Sequence, residues 1–220
     1  MGSIGCDIVD VARAIHPHAS DSPVTVTMFE NRSSLNWVRY QLGLRRAHTE
    51  TSAAERAALV ELATQKTCLA EIGVHEGVTA RDLTQVMSPA GVYYAIDPYF
   101  PGKLGINFHQ WIARREVSQR AAGRVIWVQK TGVEAAQDLP PVDFLFVDGD
   151  HSYEGLKGDW EAWRSHLSPG SIVALHDTRG GRHACQHYME AVICPDPEFR
   201  CVCEVESLTV FERIAPPSPA

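Results

Sequence analysis

The sequence has no run of the roughly 20 apolar residues that a bilayer-spanning helix requires, so a membrane-embedded protein is not expected. Its first thirty residues also lack a basic start followed by an apolar core, the layout of a secretory leader, and the expected compartment is the cytoplasm. Basic residues are in deficit: 20 Lys and Arg stand against 27 Asp and Glu, a net charge of −7. Such a surface offers no broad attraction for phosphate backbones, which argues against nucleic acid as a partner. The six cysteines, Cys6, Cys68, Cys185, Cys194, Cys201 and Cys203, contain no CxxC pair. They read as reduced structural thiols, with Cys201 and Cys203 on one face of a strand; the alternative is a zinc site from Cys185, Cys194 and that pair, whose spacings miss the common zinc patterns. A dinucleotide fingerprint is missing too, because His75 occupies the second glycine position of Gly-x-Gly-x-x-Gly.

With 220 residues and 45% hydrophobic content, the chain suits one well-buried α/β domain. Thr51 or Ser52 precedes the run Ala53 to Leu62, a hydroxyl cap followed by Glu55 and an Ala/Leu-rich helix. Strands then alternate with helices: strands over Thr67–Ile72, Val92–Ile96, Val125–Val128, Phe144–Val147 and Ile172–Leu175, and helices over Ala80–Met87, Phe108–Arg120, Val133–Leu139 and Tyr153–Leu167. This order predicts a Rossmann-like, mostly parallel sheet with helices on both faces. Cys201–Val205 and Ser207–Arg213 read as two pairing strands that finish it with an antiparallel edge. Residues 51–213 form the expected domain. Residues 1–50 are an arm with a helix near Leu35–Leu42, where Asn31–Arg46 reads as a lid or as the contact of a homo-oligomer, and residues 214–220 are a Pro-rich disordered tail.

Chemistry concentrates where these strands end. Val147-Asp148-Gly149-Asp150-His151 and Leu175-His176-Asp177 place acids and imidazoles at the carboxyl ends of two buried strands, where open α/β sheets keep their ligand crevice. The first strand runs into Glu71-Ile72-Gly73-Val74-His75-Glu76-Gly77, a turn that a ligand can approach closely. The second ends in Asp97, placed to accept from both hydroxyls of a ribose, so a nucleoside-bearing ligand is expected. Each feature has a structural counterpart: Asp148 and Asp150 also fit an Asx turn, His151 a helix cap, and His176-Asp177 a satisfied polar pair. His75 and Glu76 read as loop residues. His183 and the other remaining histidines read as surface or core.

These motifs resemble the class I S-adenosylmethionine-dependent methyltransferases over about Thr51–Arg213, which implies a seven-stranded sheet. The resemblance implies that Gly73 and Gly77 border the methionine part, Glu71 helps hold its ammonium, Asp97 binds the ribose and Gln129 to Val133 lie by the adenine. Asp148 to Gly155 is similar to the corresponding segment of bacterial sugar and antibiotic O-methyltransferases and of caffeoyl-CoA-type enzymes. That similarity implies a divalent ion, Mg²⁺ or Mn²⁺, held by Asp148, His176 and Asp177, with Asp150 a second ligand or an orienter of His151. It also implies that His151 is the base acting on a small hydroxylated acceptor such as a sugar or secondary metabolite, behind inserts carrying Tyr99, Phe100, Phe108 and Trp111. His176 departs from the family carboxylate and favours Mn²⁺, Fe²⁺, Co²⁺ or Zn²⁺ over Mg²⁺. Two other functions fit: a metal-independent O- or N-methyltransferase with His151 as base, and a non-catalytic nucleoside-binding partner subunit.

Overall fold

Short apolar runs bounded by turn residues form strands because both faces of each run can be covered. In the computed structural model, which describes residues 34–102 and 105–215, seven such runs make one sheet. They are β1 (Cys68–Ile72), β2 (Val92–Ile96), β3 (Arg124–Val128), β4 (Val142–Val147), β5 (Leu167–Leu175), β6 (Phe199–Val205) and β7 (Leu208–Arg213), in the order β3-β2-β1-β4-β5-β7-β6. The first five are parallel, and β7 runs antiparallel to both β5 and β6. Residues 1–33 of the expected arm, including the start of Asn31–Arg46, and residues 216–220 of the expected tail lie outside the described residues.

Alternation along the strands divides the core in two. Phe144 and Phe146 of β4 join Leu69, Tyr93 and Ala174 on one face, covered by α1 (Ala53–Ala63), α2 (Val78–Val86) and α3 (Phe108–Ser118). Leu145 and Val147 join Ala70, Ile96 and Val173 on the other, covered by α5 (Tyr153–Trp163) and α6 (Cys185–Tyr188). Helix starts are fixed by side-chain caps: Ser52 and Glu55 close a capping box on α1, Thr131 and Glu134 do so on the short α4 (Gly132–Ala136), and Ser152 caps α5. A helix over 34–41 packs Trp37 against Phe108 and Trp111 of α3, and Tyr40 donates to Glu116 at 2.7 Å.

The expected antiparallel pair finishes the sheet: β7, with Leu208, Val210 and Phe211 buried, lies between β5 and the mostly exposed β6. Two expectations are corrected. The helix after β4 stops at Trp163, and β5 starts at Leu167, because the Ser171 hydroxyl donates to the Val142 carbonyl and accepts the Ser168 N–H, drawing Ser168-Pro169-Gly170 into the strand. Cys201 and Cys203 do not share a face: Cys201 pairs with Phe211 and Cys203 with Val210, a register shift that turns the strand between them.

Trp163 is fully buried and its indole N–H donates to the Gly132 carbonyl at 2.9 Å, tying α5 to the loop after β3. Trp163→Ala is expected to cost about 3–5 kcal/mol of stability and Trp163→Phe about 1–3 kcal/mol, the smaller figure reflecting a lost hydrogen bond and a smaller cavity; urea denaturation of the three proteins measures both.

Candidate active site

A cleft of about 680 Å³ opens over the carboxyl ends of β1, β2 and β4 and the segment after β3. Gly73 belongs on its floor for a steric reason: it has φ +88°, and a Cβ there would lie 2.1 Å from the Asp148 carbonyl oxygen. The glycine loop is held by Asp97, whose Oδ2 accepts the N–H groups of Val74 and His75 at 3.0 Å and whose Oδ1 accepts that of Tyr99 at 2.8 Å. Glu71 lines the cleft, accepts the Tyr93 hydroxyl and is otherwise buried. Burial, reinforced by the Asp148 and Asp97 carboxylates, pushes its carboxyl well above the ordinary range.

Two expected cofactor contacts fall elsewhere. Gly77, with φ +76°, faces Ala113 of α3 and serves helix packing instead of the cleft. Gln129 donates to the Tyr99 carbonyl at 3.4 Å, and the cleft is lined instead by Lys130 to Val133, where the chain turns into α4. Of the expected apolar walls only Phe100 reaches the cleft; Tyr99 is buried beneath it, and Phe108 and Trp111 stack on Trp37.

At the other end of the cleft the strand tips bring five donors together. His176 Nδ1 lies 2.7 Å from Asp148 Oδ1 and 3.7 Å from Asp177 Oδ2. His151 spans the same carboxylates, Nδ1 at 2.5 Å from Asp177 Oδ2 and Nε2 at 3.5 Å from Asp148 Oδ1. His183 Nε2 stands 3.4 Å from Asp177, which corrects its assignment to surface or core. The donors sort into two convergent sets that share His151: Asp148 with His151 and His176, and Asp177 with His151 and His183. Both nitrogens of His176 are buried without an aligned hydrogen bond. Burial opposes charge on this ring, but Asp148, with help from Asp177 and Glu55, pushes it up to about 9. Asp150 stays outside both sets and accepts the Ser152 N–H at 2.9 Å, the Asx-turn role.

Residues 70–178 match the family model described as a methyltransferase domain. The sheet order and topology agree with solved structures of that fold. A Corynebacterium glutamicum protein superposes with a TM-score of 0.61 at 16% identity, covering 86% of this chain and 91% of its own. The O-methyltransferase from Bacillus cereus in complex with SAH gives 0.54 at 14%, covering 83% and 91%. The chain belongs to the class I S-adenosylmethionine-dependent methyltransferases. A Sinorhizobium fredii protein described as the uncharacterized protein y4gI is 45% identical over 78 residues, and that match spans 33% of this chain and 9% of that protein.

The methyltransferase uses one further acid that its sequence does not advertise. Glu76 is 1% exposed and accepts both Arg45 guanidinium nitrogens, at 3.0 and 2.8 Å, together with the His48 N–H at 2.6 Å. His109 Nδ1 lies 3.2 Å away. The contact pins residues 48–50, which line the cleft, onto the glycine loop. Burial alone would raise this carboxyl, but His109, Arg45 and the His48 N–H outweigh it and hold it at about 2, below an ordinary 4.5. A depressed carboxyl stabilises the fold above its unfolded pKa and loses that contribution as the pH falls toward its folded one. Glu76→Gln is therefore expected to lower stability at pH 7, by about 3 kcal/mol, and to flatten its decline between pH 4.5 and 2, as read by denaturant titrations across that range.

Proposed function

We propose that the chain transfers the methyl of S-adenosylmethionine to a hydroxyl of a small molecule, assisted by a divalent ion. The observation that carries this reading is that Asp148 and Asp177, from separate strand tips, meet one buried imidazole at 2.7 and 3.7 Å beside the cleft. The donor chemistry fits an ion: two carboxylates surround a buried histidine whose nitrogens have no aligned partner, and the imidazole favours Mn²⁺, Fe²⁺, Co²⁺ or Zn²⁺ over Mg²⁺. Asp148, His176 and Asp177 would hold it. Bound there, the ion would make an acceptor hydroxyl more acidic, while S-adenosylmethionine supplies the electrophilic methyl.

The chain's own residues do the remaining work. Asp177 fixes the His151 ring through Nδ1, which leaves Nε2 as the proton acceptor, the division of labour of a His–Asp pair. Gly73 lets the loop after β1 pass directly against the β4 backbone on the cleft floor, and Asp97 would add ribose hydroxyls to the N–H groups it already accepts. Phe100, largely exposed at the cleft, supplies an apolar wall for the acceptor. The relative from Bacillus cereus is an O-methyltransferase by its description, which supports oxygen as the nucleophile. No helix among the described residues is long and apolar enough to cross a membrane, in keeping with a small acceptor that arrives from solution.

A metal-independent transfer is the second reading, and the 2.5 Å contact between His151 and Asp177 favours it, because that pair is complete without an ion. Saturating Mn²⁺ is expected to raise the melting temperature by about 5–10 °C, the shift for a ligand near 100 times its Kd, and Asp148→Ala to abolish the shift. Release of S-adenosylhomocysteine with a panel of hydroxylated acceptors is expected to fall at least about 100-fold after EDTA dialysis and to return with Mn²⁺. EDTA-resistant turnover that His151→Ala eliminates would establish the second reading instead.

A further inference from the structure

We infer that His75, Glu76 and His109 form a second metal site, suited to a borderline divalent ion such as Zn²⁺, that clamps the start of α3 and residues 45–48 to the loop after β1. The three ligand atoms, one imidazole nitrogen from each histidine and one carboxylate oxygen from Glu76, lie within 4.8 Å of one another. Bonds of about 2.0–2.2 Å to one ion require only small side-chain turns from there. The set shares no residue with Asp148, His176 and Asp177, and its chemistry differs: two imidazoles and one carboxylate stand where the other has two carboxylates and one imidazole. An imidazole-rich set selects Zn²⁺, Ni²⁺ or Cu²⁺ over Mn²⁺ and Mg²⁺.

Local structure prepares each donor. Three of the roughly four lone-pair positions of the Glu76 carboxylate are taken, by the two Arg45 nitrogens and the His48 N–H, and the open position is on Oε1. His109 Nδ1 lies 3.2 Å from that oxygen, yet it is buried and makes no aligned hydrogen bond. A buried ring nitrogen without a partner is uncommon in a folded protein, and an ion shared with Glu76 supplies what it lacks. Arg45 is then the outer partner that fixes a ligating carboxylate. His75 has φ +50°, unfavourable for a residue with a side chain, and its backbone is held there from both sides. Asp97 accepts its N–H at 3.0 Å, and the Tyr99 hydroxyl donates to its carbonyl at 3.1 Å. This strained backbone stacks the imidazole on His109, with ring centres 4.7 Å and planes 28° apart. Two imidazolium ions so close would repel, so at most one ring is charged, and an incoming ion displaces no more than that one proton. His48 stands edge-on to His75, ring centres 5.6 Å apart, and offers a fourth imidazole beside the set.

Zn²⁺ titration of the full chain tests the site, read by calorimetric stoichiometry and by melting temperature. An Asp148→Ala/Asp177→Ala background removes a carboxylate from each donor set at the other end of the cleft. In it Zn²⁺ is expected to bind at one equivalent and, near 100 times its Kd, to raise the melting temperature by about 5–10 °C, with Mn²⁺ at the same concentration leaving it unchanged. His75→Asn, chosen because asparagine tolerates a left-handed backbone, and His109→Gln, each added to that background, should weaken Zn²⁺ binding at least about 100-fold, more than loss of an outer partner costs. The same two substitutions in the otherwise unaltered chain make the test independent of that background, and there they should remove one equivalent of Zn²⁺. Unchanged Zn²⁺ stoichiometry and affinity after the His75 and His109 substitutions, or no saturable Zn²⁺ binding by the wild type, overturns the assignment. A wild type that binds Zn²⁺ through His75 and His109 but fails to bind Mn²⁺ supports this site and counts against the one at Asp148 alone.

Discussion

His176 sits between Asp148, Asp177 and Glu55, and the strands, caps and loops around it are arranged so that this local charge balance holds. Three carboxylates gathered at the end of a buried sheet repel one another, and an imidazole pushed up to about 9 is what the free protein uses to offset them. The position asks for positive charge.

The rest of the cleft follows from how closely its walls approach. β1 and β4 are hydrogen-bonded neighbours, and the glycine after β1 is the point at which one backbone passes directly under the other. Asp97 then rigidifies the loop by accepting two of its N–H groups.

Much of this was legible in the sequence. The five parallel strands read correctly because each is a short apolar run, and the start of α1 because Ser52 and Glu55 form a capping box that needs only local spacing. That Asp148, His151, His176 and Asp177 would gather was legible because charge at the end of a buried strand is unusual enough to mark. What escaped was tertiary. His183 lies in an insert with no periodicity, and only the fold brings it to Asp177. Glu76 looks like a loop residue until Arg45 arrives from 31 positions away. The start of β5 was obscured by Ser168-Pro169-Gly170, which resembles a break.

Glu55 shows what such tertiary wiring entails. One of its oxygens accepts the Ser52 N–H and lies 3.4 Å from His176, while the other accepts the N–H and hydroxyl of Ser207, in the turn between the last two strands. A single side chain thus couples the entry into the first helix, the closing hairpin and the chemistry between them. Losing Ser52, or opening the hairpin at Ser207, would take a hydrogen-bond partner from the carboxylate that stands beside the imidazole.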